Sequence, residues 1–177
     1  MSKSLNIPAV KGLDYVGVDK AMDTLADFGF LLSSEDRNLS LALGATKNGV
    51  KILDLVSAYS TLACSGKQNN LTFIDKILDK NGNVIYSNEN YSEQIADAGD
   101  CFLVTDMLKE TALTGTARRL NSLNLPVASK TGTATNGTNV TDLYSVAYTS
   151  KHTLLTWIAD IKNNEIAGKL YSSAEPT

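Results

Sequence analysis

The last third of the chain constrains the fold most. Three runs rich in β-branched and aromatic residues follow one another: PVASKTGTA from Pro126, TDLYSVAYTS from Thr141 and TLLTWIADI from Thr153. Only short polar breaks separate them, at Asn136-Gly137 and at Lys151-His152. Breaks this short have no room for a crossover, so the three strands are predicted to form an antiparallel meander. Ahead of them the apolar period is helical. Ala21, Met22, Leu25 and Phe28 share one helix face, with Asp19 as the predicted cap and Gly29 as the stop. A second helix is predicted from about Val50 to Cys64, carried by Val50, Leu53 and Val56 and ended by Gly66. A third runs from about Glu93 to Leu113 through Leu103, Met107 and Leu108, closed by Gly115. Between the last two, LTFIDKILDKNGNVIYSN places β-rich runs on both sides of Asn81-Gly82, the signal of a two-residue hairpin. Helices followed by a three-strand sheet give an α+β fold. With no repeat or linker-like shift in composition, residues 1–177 read as one unit.

Composition narrows the chemistry. A chain of 177 residues can bury a proper core, and its 43% hydrophobic and 20% charged content is that of a globular protein. A net charge of -3 offers no basic footprint for nucleic acid. No run of 18 apolar residues is present, so no transmembrane segment is predicted, and the start MSKSLNIPAV lacks a core of signal-peptide length. Two cysteines, Cys64 and Cys101, and one histidine, His152, make a disulfide framework, a Cys/His metal site and a histidine triad poor readings. No metal and no cofactor are expected. Both cysteines are predicted to be buried as small hydrophobes, and His152 to be exposed in a turn.

The tripeptide Lys130-Thr131-Gly132 sits at the end of an apolar run, on a strand predicted at the sheet edge. Glycine there lets a substrate backbone come close. Lys130 with the hydroxyls of Thr131 and Thr133 suits a carboxylate. A solvated edge strand with a gatekeeping lysine explains the same residues. Ser4-Leu5-Asn6 shifts the balance, because a Ser-x-Asn element accompanies Lys-Thr-Gly in penicillin-recognising enzymes. Taken in order, SLNIPAV, GVDKAMDTLADFGF, RNLSLALGATKNGV, LVSAYSTLACSGK, DKNGNVIY, LTGTARRL, PVASKTGTA and DLYSVAYTS…TLLTWIAD make the chain resemble the transpeptidase domain of class A penicillin-binding proteins, to about Asp160. It departs from that pattern at Asp142-Leu143-Tyr144-Ser145, where a more aromatic run is usual, and at Ala147, usually glycine.

The resemblance implies a D,D-transpeptidase acting on D-Ala-D-Ala stem peptides of peptidoglycan at the extracytoplasmic face of the membrane, and acylated by β-lactams. It implies that Ser4 relays a proton between Lys130 and the leaving amine, and that Asn6 binds the substrate's amide groups. Thr131 and Thr133 would hold the terminal carboxylate, Gly132 would leave room for it, and the Thr133 N–H would form part of an oxyanion hole. The family's nucleophile is the serine of Ser-x-x-Lys, and no serine of this chain has lysine three places on. The chain is therefore expected to be the C-terminal part of such a domain, trimmed at both ends and inactive alone. Two alternatives stand beside this: a non-catalytic module binding stem peptide or penicillin, and a relative of serine β-lactamases or carboxypeptidases.

Overall fold

The computed structural model describes residues 1–136 and 139–159. Gly137 of the first predicted turn, Asp160, Ile161 and the KLYSSAEPT tail lie outside the described residues. The secondary-structure elements follow one another in chain order. Helices α1 (Asn6–Val16) and α2 (Val18–Asp27) open the chain, then an irregular stretch with two 3-10 turns leads to α3 (Ile52–Ala63). Two small two-stranded ribbons follow, made from β1 (Lys67–Asn69), β2 (Lys76–Leu78), β3 (Val84–Ser87) and β4 (Ser92–Gln94). Helix α4 (Ala98–Leu113) and a 3-10 turn lead into the main sheet of β5 (Ala128–Asn136), β6 (Asn139–Tyr148) and β7 (Thr153–Ala159).

The sheet is the predicted meander, ordered β5-β6-β7 and antiparallel throughout. Lys130 lies opposite Val146, and Val146 opposite Leu155, so Lys130, Gly132, Tyr144, Val146 and Trp157 share one face by alternation. That face carries the core. Leu108 of α4, Ala128 of β5 and Tyr148 of β6 are buried together, with Tyr59, Leu62 and Ala63 of α3 and Val104 of α4 against them. Tyr148 keeps its polar end satisfied: its Oη lies 2.9 Å from Thr105 Oγ1. Burial, with Tyr148 as neighbour, pushes the Tyr59 hydroxyl up to about 12.

Several local expectations change. Asp19 lies in the first turn of α2, not at its cap, which is Gly17; its carboxylate pairs with Arg37 instead. Helix α4 starts at Ala98, where Asp97 Oδ1 accepts from the Gly99 and Asp100 N–H groups at 2.8 and 3.1 Å. Glu93 and Gln94 are taken instead by β4, which pairs with the distant β1. The hairpin around Asn81-Gly82 has a longer loop than two residues. Asp79 and Asn83 close it through Asp79 N–H to the Asn83 carbonyl at 2.8 Å, and Gly82 at φ +85° turns the chain back. Cys101 is buried but Cys64 is exposed, because it falls just past α3 as the chain leaves the helix.

Helix α4 buries Cys101, Leu108, Thr111 and Ala112 on one side. Its other side presents Phe102, Leu103, Met107 and Leu113 to solvent, interleaved with Asp106, Lys109 and Glu110. Four large apolar side chains exposed on one helix form a candidate contact surface. Strand β7 is similar: it is uncharged, outermost in the sheet, and leaves Leu154 and Trp157 exposed.

Candidate functional site

The structure brings together residues 126 positions apart. Lys130 Nζ donates to Ser4 Oγ at 2.7 Å and to the Thr131 carbonyl at 2.6 Å. Lys130 can reach outward because β5 is an outer strand, as predicted. Ser4 meets it because the chain turns sharply before α1: Ser4 N–H donates to the Met1 carbonyl at 3.0 Å, and Ser4 has φ +51°. A serine in that left-handed region is held there by its surroundings at a cost of about 1–2 kcal/mol. Lys130 is half-buried and Ser4 exposed, so the pair lies at a surface. Burial holds the Lys130 amine below the ordinary lysine value.

The donor pattern has chemical meaning. An ammonium only donates, so Ser4 Oγ accepts from Lys130 and its own proton is left to point elsewhere. Such a serine can hand a proton outward and recover one from the lysine.

The other expected residues are placed around this contact. Asn6 is exposed at the first position of α1, two residues from Ser4. Thr131 is turned away from the Lys130 face, is 7% exposed, and has its Oγ1 2.8 Å from Thr116 Oγ1. Thr133 is exposed further along β5.

Gly132 has a specific meaning here. A Cβ built on it would lie 3.5 Å from Tyr144 Cβ, an ordinary contact, and its φ is not in the left-handed region. Neither packing nor backbone therefore requires glycine at 132. Gly115 is the opposite case, since a Cβ there would overlap the Ser2 carbonyl oxygen. The sequence reading gave Thr116 no role beyond its place in LTGTARRL, and read Gly115 only as a helix stop and Tyr144 only as part of a departure from the family pattern. Among the described residues no cluster of His, Cys, Asp and Glu can hold a metal ion.

The model of the penicillin binding protein transpeptidase domain matches residues 1–173. This chain belongs to the penicillin-binding protein transpeptidase family. Among curated relatives it is 28% identical over 178 residues to penicillin-binding protein 1A of Clostridium novyi, covering 98% of this chain and 20% of that protein. It is 30% identical over 182 residues to penicillin-binding protein 2a of Streptococcus pneumoniae, covering 98% and 24%. The chain thus spans about a fifth to a quarter of these penicillin-binding proteins. Among solved structures, penicillin-binding protein 1A from Haemophilus influenzae superposes with a TM-score of 0.84 at 19% identity, over 98% of this chain and 31% of that one. The D,D-transpeptidase domain of an Eggerthella lenta peptidoglycan glycosyltransferase superposes with a TM-score of 0.71 at 19% identity, over 82% of this chain and 43% of that one. Both likenesses bear on the fold, which is the α+β arrangement of helices and three-strand sheet read from the sequence. Among the described residues no helix is long and apolar enough to cross a membrane.

Proposed function

We propose that this chain is the C-terminal portion of a peptidoglycan D,D-transpeptidase domain, carrying the substrate-recognition and proton-relay half of its site. The observation that carries the reading is the 2.7 Å contact of Lys130 Nζ with Ser4 Oγ, formed across 126 residues. The nucleophile is assigned to a Ser-x-x-Lys serine outside the chain, since no serine within it has that spacing. Two further observations favour a missing partner segment: the exposed Phe102, Leu103, Met107 and Leu113 of α4 and the uncharged outer strand β7.

In this reading the nucleophilic serine gives its proton to the lysine of its own Ser-x-x-Lys segment as it attacks the carbonyl of the D-Ala-D-Ala bond, and the C–N bond then breaks as the leaving amine takes a proton from Ser4 Oγ. Lys130 replenishes Ser4, and its lowered proton affinity makes that transfer easier. The Thr133 N–H faces the developing oxyanion and the Thr133 hydroxyl holds the terminal carboxylate, while the buried Thr131 hydroxyl stays paired with Thr116. Asn6 takes the substrate amide. Gly132 leaves the open side of β5 clear for the substrate backbone. β-Lactams enter the same site; a relative 26% identical to this chain, PonA1 of Mycobacterium tuberculosis, has been seen in complex with penicillin V. The complete protein works at the extracytoplasmic face of the membrane, where peptidoglycan is cross-linked.

The test is labelling of the complete domain with a fluorescent penicillin, comparing wild type with Ser4→Ala and Lys130→Ala. Both variants should label at least about tenfold more slowly, the scale expected for loss of a proton-transfer group. Undiminished labelling of both would remove the relay from the site.

A further inference from the structure

The turn Thr114–Ala117 joins the two segments that meet at the Ser4–Lys130 contact. On one side the Thr116 N–H donates to the Ser2 carbonyl at 3.1 Å. Gly115 seats against the same carbonyl so closely that no side chain fits between them. From Ser2 the chain runs directly into the turn that holds Ser4 at φ +51°. On the other side Thr116 Oγ1 lies 2.8 Å from Thr131 Oγ1, next in sequence to Lys130. The Thr131 carbonyl also receives the Lys130 ammonium at 2.6 Å. The contacts form a closed ring: Thr116 to Thr131, Thr131 to Lys130, Lys130 to Ser4, and back through Ser2 to Thr116.

We propose that Thr116 is a positioning residue of the acyl-transfer site, fixing Ser4 and Lys130 at hydrogen-bond distance through its main chain and its side chain respectively. The proposal rests on the reading of Ser4 and Lys130 as the proton relay. Thr116 itself touches neither of them. Its side-chain bond matters because Thr131 is buried, so water cannot readily replace a lost partner. Its main-chain bond matters because Ser4 sits in a backbone region that a serine does not keep unaided. A proton relay needs both atoms within a few tenths of an ångström, so a small loosening at either end opens the gap.

The test uses Thr116→Val, which keeps the N–H and the shape but removes the hydroxyl, and Thr116→Ser, which keeps both polar groups. Acylation of the complete domain by a fluorescent penicillin is followed against pH. The valine variant should acylate roughly tenfold more slowly, as for one lost hydrogen bond. Its profile should shift alkaline as Lys130 becomes better hydrated, and the serine variant should recover wild-type rate and profile. Equal failure of both variants overturns the proposal, since restoring the hydroxyl then does not restore the site. A wild-type rate and profile in the valine variant also overturns it.

Titration of Lys130 by NMR in the complete domain, with labelled lysine, separates this proposal from the functional reading beneath it. If wild type is never acylated, the relay falls, yet an unchanged Lys130 titration in Thr116→Val overturns the positioning role independently. The double variant Thr116→Val/Thr131→Val replaces the hydroxyl pair with a matched apolar pair and guards against misfolding of the single variant. Its Lys130 titration should move toward the ordinary lysine value; a wild-type titration overturns the proposal.

Discussion

Gly132→Ala separates folding from function at one atom. The added methyl would lie 3.5 Å from Tyr144 Cβ and 3.9 Å from Tyr144 Cδ2, within ordinary van der Waals range. No left-handed backbone has to be given up. Alanine also loses less freedom on folding than glycine, by about 0.5–1 kcal/mol in an element interior. The folded state should therefore be unchanged or stabilised by up to about 1 kcal/mol. A ligand laid along the outer edge of β5 meets the same methyl and must move away by about 1 Å. A displacement of that size costs on the order of a hundredfold in rate where reacting atoms must align. Urea unfolding and fluorescent-penicillin acylation of the complete domain, measured on the same preparation, read the two effects. A destabilised variant would refute the packing argument; a stable variant that acylates at the wild-type rate would refute the argument that glycine serves the ligand.

Other outcomes follow from the same structure. Thr111 Oγ1 is fully buried with no hydrogen-bond partner, so Thr111→Val should raise stability by about 1–3 kcal/mol in urea unfolding; a loss of stability would show that the hydroxyl is satisfied. Lys130 has its proton affinity lowered in the fold by burial, so the unfolded chain holds that proton more tightly. Stability should then rise with pH between the lowered folded value and the ordinary 10.5, and Lys130→Met should abolish that rise; superimposable pH–stability curves would contradict it. The outer edge of β7 should make the isolated chain self-associate, with Thr156→Lys reducing the association in sedimentation; a sharp, concentration-independent monomeric unfolding transition would count against this.

The parts of the fold legible in the sequence were those set by local pattern. The three strands were readable because their spacing leaves room only for turns, as in Thr149–His152, where Thr149 Oγ1 accepts from the Lys151 and His152 N–H groups at 3.2 Å each. Glycine stops at Gly29 and Gly66 were readable because both positions have positive φ, which few other residues adopt. What escaped depends on distant partners. Glu93 and Gln94 fit the helical spacing of the residues after them, but pairing with Lys67 and Gln68 claims them for a strand. Asp19 satisfies the composition of a helix start, yet Arg37 takes its carboxylate. Helix α1 was hidden by Pro8, which breaks helices in their interior but is tolerated in the first turn, where it stands here. Lys130 and Ser4 could be paired from the sequence only through the motif pairing of a known family. Thr116 could not be found that way, because its role lies in two contacts, to Ser2 and Thr131, that no local pattern encodes.

The central claim is that Ser4 and Lys130 form the recognition and relay half of an acyl-transfer site whose nucleophile lies outside this chain. Mapping the penicillin adduct by mass spectrometry tests it most directly, on the complete domain and on residues 1–177 alone. The adduct should sit on a Ser-x-x-Lys serine outside these residues, and the chain alone should take up none. A covalent adduct on any serine between Ser2 and Ser173 would contradict the account.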